Sequence, residues 1–199
     1  MRKFFVLVYF GLMKTTQLKG LLLAYSKKGL HNPDIKFIDG QRKSNLKAAI
    51  LYERTKWNSH FRKIPCELLS RFLTGLCKKS KEFEAASTFD EIMEGIKKFI
   101  NSDSPTYKGI GELTIYDISV CIGTYLKKPP KKIYLHRGAR DGAKILFSSG
   151  VLLGVTKLGK FIKSENLPIG LQKTGWNEDQ FESFLCYISM RIGKQGRRL

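Results

Sequence analysis

The sequence predicts a mainly α-helical protein, a helical bundle built as one domain or as two lobes. Three observations carry that expectation. Apolar residues recur at helical spacing in separate stretches, most clearly at residues 66–79, 88–100 and 177–192. Helix-start signals stand in front of these stretches: Pro65, the pair Thr88 and Glu91, and Asn177. Finally, 42% of the 199 residues are hydrophobic, enough to bury a sizeable core.

Taken in order, residues 1–13 pair a charged start with a short apolar run, the outline of a signal peptide. No small-residue cleavage site follows, and the run is too short to span a bilayer, so a first strand or buried helix is the preferred reading over a targeting segment. Residues 18–25 are apolar and helical in pattern, ending at Lys27-Lys28-Gly29. Two turn signals, Asn32-Pro33-Asp34 and Asp39-Gly40, flank a short apolar piece. Ser44 is expected to cap a helix through Leu46, Ala49 and Ile50 and on toward Trp57. Arg42, Lys43, Lys47, Arg54, Lys56, Arg62 and Lys63 interleave with Tyr52, Trp57, His60 and Phe61. Such a mixture is either a base-stacking surface or an ordinary core with a solvated face.

Pro65 opens the next helix, whose stripe is Leu68, Leu69, Phe72, Leu73 and Leu76. Residues 78–86 are polar and charged and are expected to hinge two lobes, residues 1–80 and 87–199, unless the chain is one domain. Thr88 and Glu91 have capping-box spacing and launch a helix carrying Phe89, Ile92, Met93, Ile96, Phe99 and Ile100. Residues 113–125 are apolar nearly all round, as in a helix buried on several sides. The basic link Lys127-Lys128-Pro129-Pro130-Lys131-Lys132 stops that helix. Residues 133–144 give a short apolar piece, a Gly-punctuated turn with backbone donors, and a helix start. Residues 151–162 are turn-rich or strand-like, and residues 167–176 read as a loop. Asn177 caps a last helix with the stripe Phe181, Phe184, Leu185, Ile188 and Ile192.

The charge balance narrows function. Thirty-six Lys+Arg against 17 Asp+Glu leave a formal net charge of +19, which implies a polyanionic partner. Nucleic acid leads, followed by an anionic membrane surface. The four cysteines lie far apart with no CxxC pair, so neither a zinc site nor a disulfide framework is indicated, and a reducing, cytoplasmic location fits best. Cys77, Cys121 and Cys186 fall in apolar helical patterns, where a thiol behaves as a small hydrophobe.

The stretch most suggestive of function is Lys108-Gly109-Ile110-Gly111-Glu112-Leu113-Thr114. Gly109 and Gly111 can take positive φ and let another molecule approach the backbone. Ile110 can plug the space between the helices on either side. The N–H groups at the start of the following helix attract anions such as phosphate. The alternative is a helix–helix turn that needs glycine and binds nothing.

Two helices joined through this Gly-Ile-Gly turn resemble the helix-hairpin-helix family of DNA-binding motifs, over residues 88–126. The resemblance implies phosphate binding by backbone donors around Gly109, Gly111 and Glu112, with Ile110 as the plug, charge from Lys108 and a hydroxyl contact from Thr114. It also allows a monovalent cation on the turn's carbonyls; no other cofactor is expected. Arg137, Arg140 and Lys144 extend the basic patch.

The enzymatic branch of that family is the base-excision DNA glycosylases and lyases, where a lysine precedes the threonine and a catalytic aspartate opens a later helix. Here Leu113 occupies the lysine position, and Lys131, Tyr134, Leu135 and His136 surround the place of the aspartate, with Asp141 displaced. The resemblance therefore implies a binding fold without glycosylase activity, and no catalytic residue is assigned. His31, His60 and His136 are too scattered for a metal site, and there is no HExxH or Walker-type loop. The expected function is non-sequence-specific nucleic-acid binding through backbone phosphates, DNA ahead of RNA. The alternatives are an adaptor or structural subunit that docks a protein partner, and a repair glycosylase or nuclease with a diverged site.

Overall fold

A computed structural model of the protein describes residues 15–27, 44–52 and 61–195. The expectations for residues 4–13, for the turns around residues 32–40, for Trp57 and His60, and for the tail from residue 196 lie outside these. The described elements, in chain order, are α1 (Thr15–Lys27), α2 (Leu46–Tyr52), α3 (Cys66–Lys78), α4 (Ser80–Ala85), α5 (Phe89–Ser102) and α6 (Glu112–Tyr125). There follow β1 (Ile133–Tyr134), α7 (Arg137–Ser148), β2 (Phe161–Ile162), α8 (Ile169–Gln172) and α9 (Glu178–Gln195). The architecture is mainly helical, as the sequence predicts, with β1 and β2 as a two-residue antiparallel ladder pairing Ile133 with Ile162 and Tyr134 with Phe161.

The chain forms two compact units, and they are not the two expected lobes. One unit is discontinuous, Met1–Asn32 with Lys131–Leu199; the other, Pro33–Pro130, is inserted between its halves. The expected hinge at residues 78–86 falls inside the inserted unit. There α4 drives Phe83 into the core at 2% exposure, and the ring lies against α5 at Gly95, where a Cβ would stand 3.3 Å from Phe83. One buried aromatic outweighs the polar composition around it, because burying such a side chain is worth about 2–3 kcal/mol. The division falls instead at the Pro-Pro link.

In the inserted unit, Leu69, Phe72, Leu73 and Leu76 of α3 meet Ile92 and Ile96 of α5 and Ile118 and Ile122 of α6 in one core. Helix α5 begins as the sequence predicts: Glu91 donates its N–H to Thr88 Oγ1 (3.2 Å), and Ser87 donates its N–H to Glu91 Oε2 (2.6 Å). Helix α2 is capped one residue later than expected: Ala48 donates to Asn45 Oδ1 (2.9 Å), since the asparagine, not Ser44, directly precedes the first helical residue. Helix α6 ends in a Schellman motif. Lys128 N–H donates to Gly123 O (2.6 Å) and Lys127 N–H to Thr124 O (3.1 Å), with Lys127 at φ 58° where glycine is usual.

In the discontinuous unit α7 and α9 form the main helix pair. Asn177 caps α9 as expected, through reciprocal 2.9 Å bonds with Gln180. Phe181, Phe184, Leu185 and Ile188 are its buried stripe. Helix α1 joins them through Tyr25, whose ring centroid lies 5.2 Å from Trp176, 5.2 Å from Phe184 and 5.3 Å from Tyr187. The expected Gly-punctuated turn near Arg137 is not a turn. Gly138 and Gly142 lie within α7, on the face pressed to α9, and a Cβ on Gly142 would overlap the carbonyl oxygen of Leu185. Close helix approach, not backbone freedom, is what these glycines supply. The expected loop at residues 167–176 contains α8, begun by Pro168.

Candidate functional site

The Gly109–Gly111 turn is built by the inserted unit and faces solvent. Gly109 is exposed at φ 110°, a conformation that a side chain would strain, and a Cβ there would lie 3.3 Å from Leu68 Cδ2. Ile110 is 9% exposed and belongs to the unit's core, so it anchors the turn as the sequence predicts. Gly111 is the N-cap of α6, with no side-chain cap bond, and a Cβ added to it would meet nothing within 4 Å. The first N–H groups of α6 therefore open beside an exposed glycine, with the positive end of the helix dipole behind them.

The side chains around the turn divide. Lys108 is exposed and available to an anion. Thr114 is only 5% exposed, which leaves little of it open to the hydroxyl contact the resemblance implies. Glu112 is exposed in the first turn of α6, where its carboxylate suits the helix dipole and opposes an incoming phosphate.

Arg137, Arg140 and Lys144 belong to the other unit, and two of them are engaged locally. Arg137 is exposed at the first position of α7. Arg140 donates from Nε to Leu135 O (3.0 Å) and is half-buried. Lys144 lies 3.5 Å from Asp141, an exposed pair worth little.

A cleft beside the turn has no counterpart among the sequence expectations. This open depression of about 520 Å³ is lined chiefly by Glu67, Ser70, Arg71, Thr74 and Lys78 of α3 and by Tyr107, the residue before Lys108, so one carboxylate stands among its cations. Burial, reinforced by Asp103, pushes the Tyr107 phenol above its usual value while Arg71 pulls it down, so the hydroxyl stays a neutral donor. Arg71, Thr74 and Lys78 sit at helical spacing opposite the buried stripe of α3, and that spacing is the signal in the sequence that marks them.

A second group is equally hidden in the sequence. His136, Glu182 and Cys186 converge between α7 and α9, with His136 Nε2 2.7 Å and Cys186 Sγ 3.0 Å from the same Glu182 oxygen. Cys186 is thus part of a polar cluster and not a plain hydrophobe. Among the described residues no helix is long and apolar enough to cross a membrane. Compared with protein families, with curated proteins and with solved structures, the chain has no match in any of the three.

Proposed function

We propose that the chain binds nucleic acid without sequence preference, DNA ahead of RNA, by holding backbone phosphates at the Gly109–Gly111 turn. The observation that carries this is an uncapped, solvent-exposed helix start at a side-chain-free N-cap, in a chain of net charge +19. A phosphate oxygen at that start would accept from the first N–H groups of α6, with Lys108 beside it. Arg71 and Lys78 in the adjoining cleft would meet the next phosphate. The arginine's planar fork suits phosphate better than a lysine does. Contacts of this kind position the backbone and read no bases.

Duplex affinity measured against salt should fall with a log–log slope of about −0.9 for each phosphate contacted. Gly111→Val leaves the turn's packing alone, because nothing crowds a Cβ there, yet it screens the amides, so it should weaken binding. Arg71→Ala with Lys78→Ala should lower both affinity and the salt slope. Glu112→Gln should tighten binding by removing the opposing carboxylate. Wild-type affinity in the Gly111 and Arg71/Lys78 variants, with loss confined to Arg197→Ala and Arg198→Ala, would place binding in the tail and defeat the proposal.

A further inference from the structure

We infer that His136, Glu182 and Cys186 form a site for one zinc ion, held between the start of α7 and the middle of α9. The inference stands apart from nucleic-acid binding and uses no residue of the turn or its cleft. Glu182 and Cys186 are one helical turn apart on the inward face of α9, and His136 is the N-cap residue of α7, two residues after the end of β1. His136 and Glu182 side chains are 4% and 7% exposed, and Cys186 is half-buried. Their ligand atoms all lie within 4.8 Å of one another, and among the described residues no other three such side chains converge.

The donor set selects the ion. One imidazole nitrogen, one carboxylate oxygen and one thiolate sulfur suit zinc, whereas calcium and magnesium take oxygen throughout. Neutral imidazole, carboxylate and thiolate together carry two negative charges, which cancel the ion's two positive ones. The loaded site is then neutral, the condition under which charged groups are cheaply buried. Bond lengths of about 2.0–2.3 Å put tetrahedral ligand atoms roughly 3.3–3.6 Å apart. The 2.7 and 3.0 Å separations therefore need to open by less than about 1 Å, while the imidazole–thiol separation, within 4.8 Å, needs to close by up to about 1.3 Å. Water fills the fourth position. Binding releases the Cys186 thiol proton to solvent.

A nucleophilic role for Cys186 suits the geometry less well. Gly138 presses α7 so close that a Cβ there would lie 2.8 Å from the sulfur.

The test is cobalt and zinc binding to the full-length protein purified without metal. Cobalt should give a cysteinate-to-metal charge-transfer band at one equivalent, displaced by zinc. His136→Gln, Glu182→Gln and Cys186→Ser should each lose affinity roughly tenfold or more. Cys66→Ser and Cys77→Ser should keep the band. Since a core variant can misfold, a second measurement uses the unaltered chain: zinc should protect Cys186 from alkylation while leaving exposed Cys66 reactive, as read by peptide mapping. No band, a band that survives in Cys186→Ser, or equal alkylation of Cys186 with and without zinc would overturn the assignment.

Discussion

Tyr25 shows how one side chain ties stability to solution conditions. Burial first, then the charge of Asp179, holds its phenol far above the usual range, against a smaller opposing effect of a hydrogen bond with Ser183. In the unfolded chain the same group ionises near pH 10. The folded state thus keeps a proton that the unfolded state loses, so stability is full below that pH and falls as pH rises through the alkaline range. Denaturant titrations above about pH 10 should show this decline in the wild type, with a shallower one in Tyr25→Phe. Single residues are legible in the sequence where their chemistry is local. Thr88 with Glu91 and Asn177 announce their helices because a cap acts on amides a few positions away. His136 and Cys186 announce nothing, since the fold closes a gap of about fifty positions that no spacing rule reads.

At the scale of helices, identical glycines do opposite work. Gly20 lies inside α1 with open space around it, so Gly20→Ala should raise stability by about 0.5–1 kcal/mol through helix propensity. Gly142 in α7 leaves no room for a Cβ against Leu185 O, so Gly142→Ala should cost about 3 kcal/mol or more and loosen the α7–α9 pair. Paired thermal melts would separate the two. By composition alone residues 137–144 resemble a turn, because glycine usually marks one. The tertiary partner that makes glycine necessary lies on another helix, far along the chain. The stripes of α3, α5 and α9 are readable because periodicity records burial directly. The turn before α6 is readable in part: the glycines and the Ile110 plug follow from residue type. The burial of Thr114 and the placing of Arg71 and Lys78 along the cleft depend on which way the helices roll.

Over the whole molecule, the arrangement of the units makes its own prediction. Residues 33–130 hold a core made entirely of their own side chains, and should unfold cooperatively when expressed alone. Removing residues 1–32 should abolish cooperative unfolding of the remainder of the discontinuous unit. That deletion takes Leu18 and Tyr25 out of a core otherwise drawn from residues 133–188. Far-ultraviolet dichroism of the two fragments would check both outcomes. The boundary escapes sequence reading because polarity is a poor sign of a hinge: a single anchored Phe83 makes that charged segment part of a packed body.

The aromatic ring of Tyr25 waits a long time for its neighbours. A ribosome delivers it ahead of the whole inserted unit, and Trp176, Phe184 and Tyr187 follow only after about 150 further residues, at some 5–20 residues per second. For roughly ten seconds or more the apolar side of α1 is tethered to a growing polypeptide with nothing to cover it, while the inserted body can already condense. Nascent chains stalled between Pro130 and Trp176 should therefore be the ones that chaperones hold.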